Sequence, residues 1–225
     1  IDVAPDGTIV VADLINSRIQ RLSASGAPLA IYGSSGAGNG EFIHPTGLEV
    51  VSDGTIFIVD AGNSRIQHLA ADGTYLGQWG TAGNLNGELN GPLGMTEALN
   101  GDLLVADTGN DRVQRFTQTG VHVRNYGSGT WGSYPGDLRA PINVAQLPDG
   151  TVMVAEDGAG QISLFSDAGT FLATRGAPAL VSFRGPFFVA ANASNIDATA
   201  LTTLDGTTVR IYPCGLTTGC ARNPI

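Results

Sequence analysis

Three stretches of the sequence set a carboxylate and a guanidinium at one fixed spacing: VADLINSR at 11–18, VDAGNSR at 59–65 and VADTGNDR at 105–112. In each, an aspartate (Asp13, Asp60, Asp107) precedes an arginine (Arg18, Arg65, Arg112) by five residues, across a turn containing asparagine. Two chemistries are open to such a set. The two side chains can bond each other or nearby turn amides inside one structural unit. Alternatively the aspartates converge and hold a divalent cation, for which oxygen ligands suit calcium. The structural role is the better reading, because a catalytic group is needed once per site and this pattern recurs. Each arginine would also have to be displaced before a cation could bind.

Other reactive residues are sparse. His44 precedes Pro45 in a loop, whereas His68 and His122 fall in different strands of their units, so the three do not aim at one point. No Ser-His-Asp order, phosphate loop or nucleotide fingerprint stands out. Cys214 and Cys220 enclose only Gly-Leu-Thr-Thr-Gly. A metal site needs further ligands and no histidine lies near, so the expectation is a disulfide stapling a terminal turn, formed in an oxidising compartment. Asn192-Ala-Ser is a glycosylation sequon that agrees with a secreted, extracellular or periplasmic location.

The elements that must position these residues follow from a long period. Asp13, Asp60, Asp107 and Glu156 are 47, 47 and 49 residues apart, and Gln161 takes the arginine's place in the fourth unit. Gly33, Gly80, Gly127 and Gly176 each close a unit. Within one unit, the apolar runs 45–51, 55–60, 65–69 and 74–79 are separated by Asp-Gly and Gly-Asn turns, which predicts four short antiparallel strands. No segment carries a helical period. Four-stranded units repeated in the forties of residues predict an all-β fold, a β-propeller of four-stranded antiparallel blades with about five repeats, near 1–33, 34–80, 81–127, 128–176 and 177–225 of a single domain.

The motifs GEFIHPTG (40–47), Asp53-Gly54, VDAGNSRI (59–66), Gly73 and Trp79-Gly80 resemble the NHL-repeat family of propellers. The resemblance covers residues 1 to about 176 in four units. It implies a propeller fold, commonly of six blades; peptide-amidating lyases, propellers that resemble this family, hold zinc through histidines with arginine and tyrosine nearby. The scattered histidines here do not match that arrangement. The fourth unit departs from the pattern at Glu156 and Gln161. In the fifth, Arg184-Gly-Pro186 runs 19 residues to Asp205-Gly206. Either 192–195 is the first turn and 196–204 the second strand, or about 11 residues are inserted. The first reading is preferred, since it leaves 207–212 as a third strand and places the cysteines at the next hairpin. Three closures are open: a five-bladed ring, an open arc lacking a blade, or a ring completed by a partner, with unpaired blade edges favouring self-association.

The 225 residues hold 11 basic groups, all arginine, against 20 acidic ones, a formal charge of −9. That balance argues against nucleic acid and anionic membrane surfaces as partners. No run is apolar and long enough for a membrane-spanning helix. The sequence opens at Ile1 without a signal-like segment, as expected of a mature or excised fragment.

One loop stands apart. Residues 127–141 are two longer than their equivalents and carry Trp131, Tyr134 and Arg139. Aromatic and arginine side chains on a propeller rim anchor binding patches, although Trp131 could instead cover the seam between blades. The leading expectation is therefore a non-catalytic recognition or structural module without a cofactor, presenting one rim to a protein or glycan within a larger chain or assembly. The alternative is a lyase- or lactonase-type propeller enzyme with calcium or zinc near the axis, drawing on Asp13, Asp60 and Asp107.

Overall fold

The computed structural model describes residues 1–132 and 134–175, and the backbone of three further strands, Phe188–Val189, Thr199–Thr202 and Val209–Tyr212. Four sheets of four antiparallel strands follow one another. The first blade contains Asp2–Val3, Ile9–Asp13, Arg18–Leu22 and Pro28–Tyr32; the second Pro45–Val50, Ile56–Asp60, Arg65–Leu69 and Tyr75–Trp79. The third holds Met95–Glu97, Leu103–Asp107, Arg112–Phe116 and His122–Tyr126, and the fourth Pro141–Gln146, Val152–Glu156, Gln161–Phe165 and Phe171–Arg175. The three last strands form one more antiparallel sheet, in which Thr199–Thr202 and Val209–Tyr212 fall inside the expected second and third strands. The proposed turn at 192–195, the sequon at Asn192, and Cys214 and Cys220 lie outside the described residues.

The hairpins form where the sequence supplies left-handed turn residues. Gly7, Gly54, Gly101 and Gly150 all have φ between +81° and +87° after an acidic or asparagine-containing turn. In blade two the side chain of Asp53 accepts the Thr55 N–H at 2.8 Å, closing the turn that sets the register Val50↔Ile56. Each third and fourth strand pair carries one irregularity at the same place, Arg21/Leu22, His68/Leu69, Arg115/Phe116 and Leu164/Phe165, which increases the local twist.

Alternation within the strands gives each sheet two apolar faces, and the core lies between blades. Ile56 and Ile58 pack back on Val10 and Ile19 of blade one. Phe57, Val59 and Ile66 pack forward on Leu103, Val105 and Phe116 of blade three. Leu104, Ala106 and Val113 then meet Val152, Val154 and Phe165 of blade four. First strands of successive blades lie side by side, as the Thr46 hydroxyl bonded to the Leu93 carbonyl at 2.8 Å illustrates. This is the arrangement of blades around an axis.

The residue before the inner proline, or its equivalent, has φ of +49° at His44, +52° at Gly91 and +45° at Ala140. Only the middle one is a residue at ease there. Ala140→Gly is expected to raise stability by roughly 0.5–1 kcal/mol, measured as a shift in the denaturant midpoint with an unchanged slope; a lower midpoint would count against strain at this position.

Candidate functional site

The Asp–Arg motif proves to be half of a larger device. Asp60, at the end of its strand, turns inward with no exposed side-chain surface. Its carboxylate accepts from Arg65 Nε at 2.7 Å, Asn63 Nδ2 at 2.8 Å, Gln67 Nε2 at 3.0 Å and the Ile43 N–H at 2.8 Å. Fixed in this way, Arg65 directs its far end at the loop arriving from blade one, donating to the carbonyls of Ala37, Gly38 and Glu41 at 2.8–3.0 Å. Gln67 holds the same loop from both sides, donating to the Glu41 carbonyl at 2.6 Å and accepting the Gly40 N–H at 2.9 Å. Blade three repeats the arrangement with Asp107, Asn110, Arg112 and Gln114 around the loop that precedes it. Each quartet therefore clamps the backbone that links its blade to the one before.

The glycine of the motif is required by close approach. Gly62 donates to the Ile43 carbonyl at 2.8 Å, and a Cβ there would stand 2.4 Å from the Ile43 side chain. Gly109 is placed in the same way against Asn90. Under each loop an apolar residue seals the seam: Phe42, Leu89 and Leu138 are all fully buried. Trp131 does not cover the seam between blades three and four, because Leu138 occupies that place.

Blade four breaks the clamp. Glu156 is fully buried and accepts from Ser163 Oγ at 2.5 Å, Gln161 Nε2 at 3.2 Å and the Arg139 N–H at 2.8 Å, with burial pushing its carboxyl above the ordinary range. The guanidinium here comes from the loop itself. Arg139 donates through Nε to the Gly132 carbonyl at 2.9 Å and lies over the Trp131 ring, 5.6 Å from its centroid. Trp131 is left 64% exposed and Tyr134 82% exposed. The Tyr134 N–H donates to Asp137 at 3.0 Å and its carbonyl accepts the Asp137 N–H, so the crest of the loop is held while its ring faces solvent. The structure thus brings Trp131 and Arg139 together, with Tyr134 three residues along the same loop.

Asp13, Asp60 and Asp107 are not brought together. Each is occupied by its own blade's arginine, asparagine and glutamine, and among the described residues no three of His, Cys, Asp or Glu gather closely enough to hold a metal ion. His68 stacks on Phe57 with its pKa lowered by burial, His122 bonds Asn125 at 2.8 Å, and His44 lies exposed in the preceding loop.

At the opposite ends of the strands lies a cleft of about 390 Å³ whose lining includes Asn100, Arg115, Gln146 and Asp167. Arg115 is already engaged by Asp102 at 2.8 Å, Asp167 at 2.6 Å and Asn100; burial works to lower its pKa, but the bonds to Asp167, Tyr126 and Asp102 outweigh it and hold the pKa above the ordinary arginine value. It links the Asn100-Gly101 turn of blade three with the turn at Asp167 of blade four, as Arg21 links Asp6 with the Ala71 carbonyl between blades one and two. These staples were visible in the sequence only as arginines in a shared strand register, because the partner that each reaches in the next blade lies about 50 residues away.

A family model for the NHL repeat matches residues 42–69. No curated protein shows a significant match to the sequence. Among solved structures, a streptogramin B lyase superposes over 86% of this chain with a TM-score of 0.64 at 22% identity. A catalytically inactive virginiamycin B lyase from Staphylococcus aureus with quinupristin superposes over 100% of the chain, with a TM-score of 0.72 at 17% identity. The chain spans 58% and 69% of the length of these two proteins. At such identities the likeness concerns the fold, which is that of a β-propeller. Within it, residues 42–69 of the second blade match the NHL repeat.

Proposed function

We propose that this propeller is a non-catalytic recognition module of an oxidising, extracellular or periplasmic compartment, and that it binds a protein or glycan through the 127–141 loop. The observation that carries this reading is the exposed Trp131 stacked on Arg139 beside an exposed Tyr134, on a loop held from beneath by Leu138 and Glu156. Fixed aromatic rings bind with little loss of side-chain freedom, and a stacked guanidinium adds a directional donor.

Arrayed glycans and candidate extracellular proteins, probed with wild type and Trp131→Ala, test the assignment. Loss of Trp131 is expected to weaken the selected ligand at least tenfold, roughly 1.4 kcal/mol, with unchanged thermal unfolding. Unaltered affinity removes the loop from recognition.

The likeness to streptogramin B lyases favours a second reading, a propeller enzyme of the lyase type. Stoichiometric metal in the purified protein, together with an activity lost on chelation, distinguishes it from the module.

A further inference from the structure

At the turn end of the strands, opposite the rim loops, the seams between the first four blades are not closed alike. Seam one-two is tied by Arg21 and the Tyr32 hydroxyl, which both donate to the Ala71 carbonyl. Seam three-four is tied in the same register: Arg115 donates to the Asp167 carboxylate at 2.6 Å, and the Tyr126 hydroxyl to the Asp167 carbonyl at 3.0 Å. Seam two-three has His68 and Trp79 at those two positions. Nδ1 of His68 and Nε1 of Trp79 are both buried, and neither has a hydrogen-bond partner among the described residues. The carbonyl in the place of Ala71 and Asp167 is that of Gln118, and neither nitrogen bonds it. Apolar contact holds the seam at this end instead. The Trp79 and Phe116 ring centroids are 4.5 Å apart, and the indole lies on Gly120, where a Cβ would stand 2.4 Å from it.

The imidazole of His68 is fixed between two neighbours. It stacks on Phe57 with centroids 5.3 Å apart, and its Cε1 would stand 2.7 Å from a Cβ on Gly77. The titratable groups on the elements around it are all engaged elsewhere. Asp53 accepts the Thr55 N–H, Gln118 donates to Glu97, His122 bonds Asn125, and Glu49 bonds the Thr96 hydroxyl nearer the axis. The other side chains packed on this face, among them Val51, Leu103 and Phe116, are apolar. We infer that the turn end of the seam between blades two and three is an acid-sensitive release point, at which protonation of His68 loosens one blade from the other. A neutral imidazole can leave Nδ1 without a proton, whereas the protonated ring carries an N–H on both nitrogens. At Nδ1 that donor and its charge would be buried with no acceptor, and Phe57 and Gly77 stop the ring from turning to find one. Burial accordingly lowers the His68 pKa. The stabilisation it implies is fully present above the ordinary imidazole range and is lost as pH falls below it. Arg21 and Arg115 stay charged throughout, so the other two seams lack this response. The device is separate from the 127–141 loop and stands whether or not that loop binds a ligand.

Amide hydrogen exchange of the whole chain at about pH 7.5 and about pH 5, corrected for the intrinsic pH dependence of exchange, tests the proposal. Wild type is compared with His68→Phe, which keeps a ring on Phe57, and with His68→Gln; neither variant titrates here. The quantity read is the opening of residues 66–69, 75–79 and 116–122 in wild type relative to each variant. On acidification that ratio is expected to rise roughly threefold or more, while the ratio for residues 18–22 and 28–32 of blade one stays constant. His68→Arg, which restores the residue type of the other seams, is expected to behave as the two neutral variants do. A ratio that does not change with pH overturns the release point. One that falls shows that protonated His68 gains a carboxylate partner and overturns its direction. An equal rise in blade one marks unfolding of the whole chain and overturns its local character.

Discussion

Asp60→Ala is expected to destabilise the protein by about 3–5 kcal/mol, the cost of leaving a buried charge without its partner. The substitution removes the acceptor of four donors at once: Arg65, Asn63, Gln67 and the Ile43 N–H. Arg65 would remain almost completely buried, its Nε facing an emptied site. The loop it holds would lose the fixed donor geometry that its three carbonyls require. Asp13→Ala supplies the control, since the same residue type in the same motif sits in the open quartet of blade one and solvent screens what it loses. Denaturant unfolding of the two variants should therefore separate widely. Similar midpoints would show that the clamp contributes through loop conformation alone and that the buried ion pair is energetically neutral.

The second large effect is a pH dependence centred on Glu49. Burial pushes its carboxyl up to about 7, and the nearby Asp2 and Glu97 carboxylates add to the rise, against the opposing hydrogen bonds from the Glu97 N–H and the Thr96 hydroxyl. A folded-state pKa above the unfolded one means that the native protein retains the proton longer than the unfolded chain does. The resulting stabilisation is fully present below the ordinary carboxyl range near 4.5 and is lost as pH rises to about 7. Across that window wild type should lose up to about 3 kcal/mol at this site. Glu49→Gln, neutral throughout, should flatten the slope and be the more stable protein at pH 8. A variant that tracks the wild-type curve from pH 4.5 to 8 would place the titration elsewhere.

Much of the architecture was legible because the repeat is written in turn chemistry. Asp-Gly steps with apolar alternation on either side leave little choice of strand boundary, and they located the strands at 56–60 and 65–69 within a residue. A five-residue separation across a turn was enough to pair Asp60 with Arg65. The far end of the guanidinium was not legible. Its partners are backbone carbonyls 24 to 28 residues earlier, and a carbonyl has no residue identity to read. Trp131 was ambiguous for a related reason: covering a seam and facing solvent suit the same residue, and only the position of Leu138 decides between them. In blade four, the loss of arginine at Gln161 was plain, but its replacement by Arg139 from within the loop depended on the path of the chain.

The crests of the rim loops share one backbone device. The N–H groups of Gly38, Leu85 and Tyr134 each donate to the carboxylate three residues on, in Glu41, Glu88 and Asp137, at 2.9–3.0 Å. The side chain at the crest takes no part in that bond, and Leu85 and Tyr134 both point into solvent. What the loop is and what it shows are consequently set by different residues. A propeller built on this plan offers a row of interchangeable positions on a common mount, so its surface chemistry can be rewritten one blade at a time without reopening the question of how the chain folds.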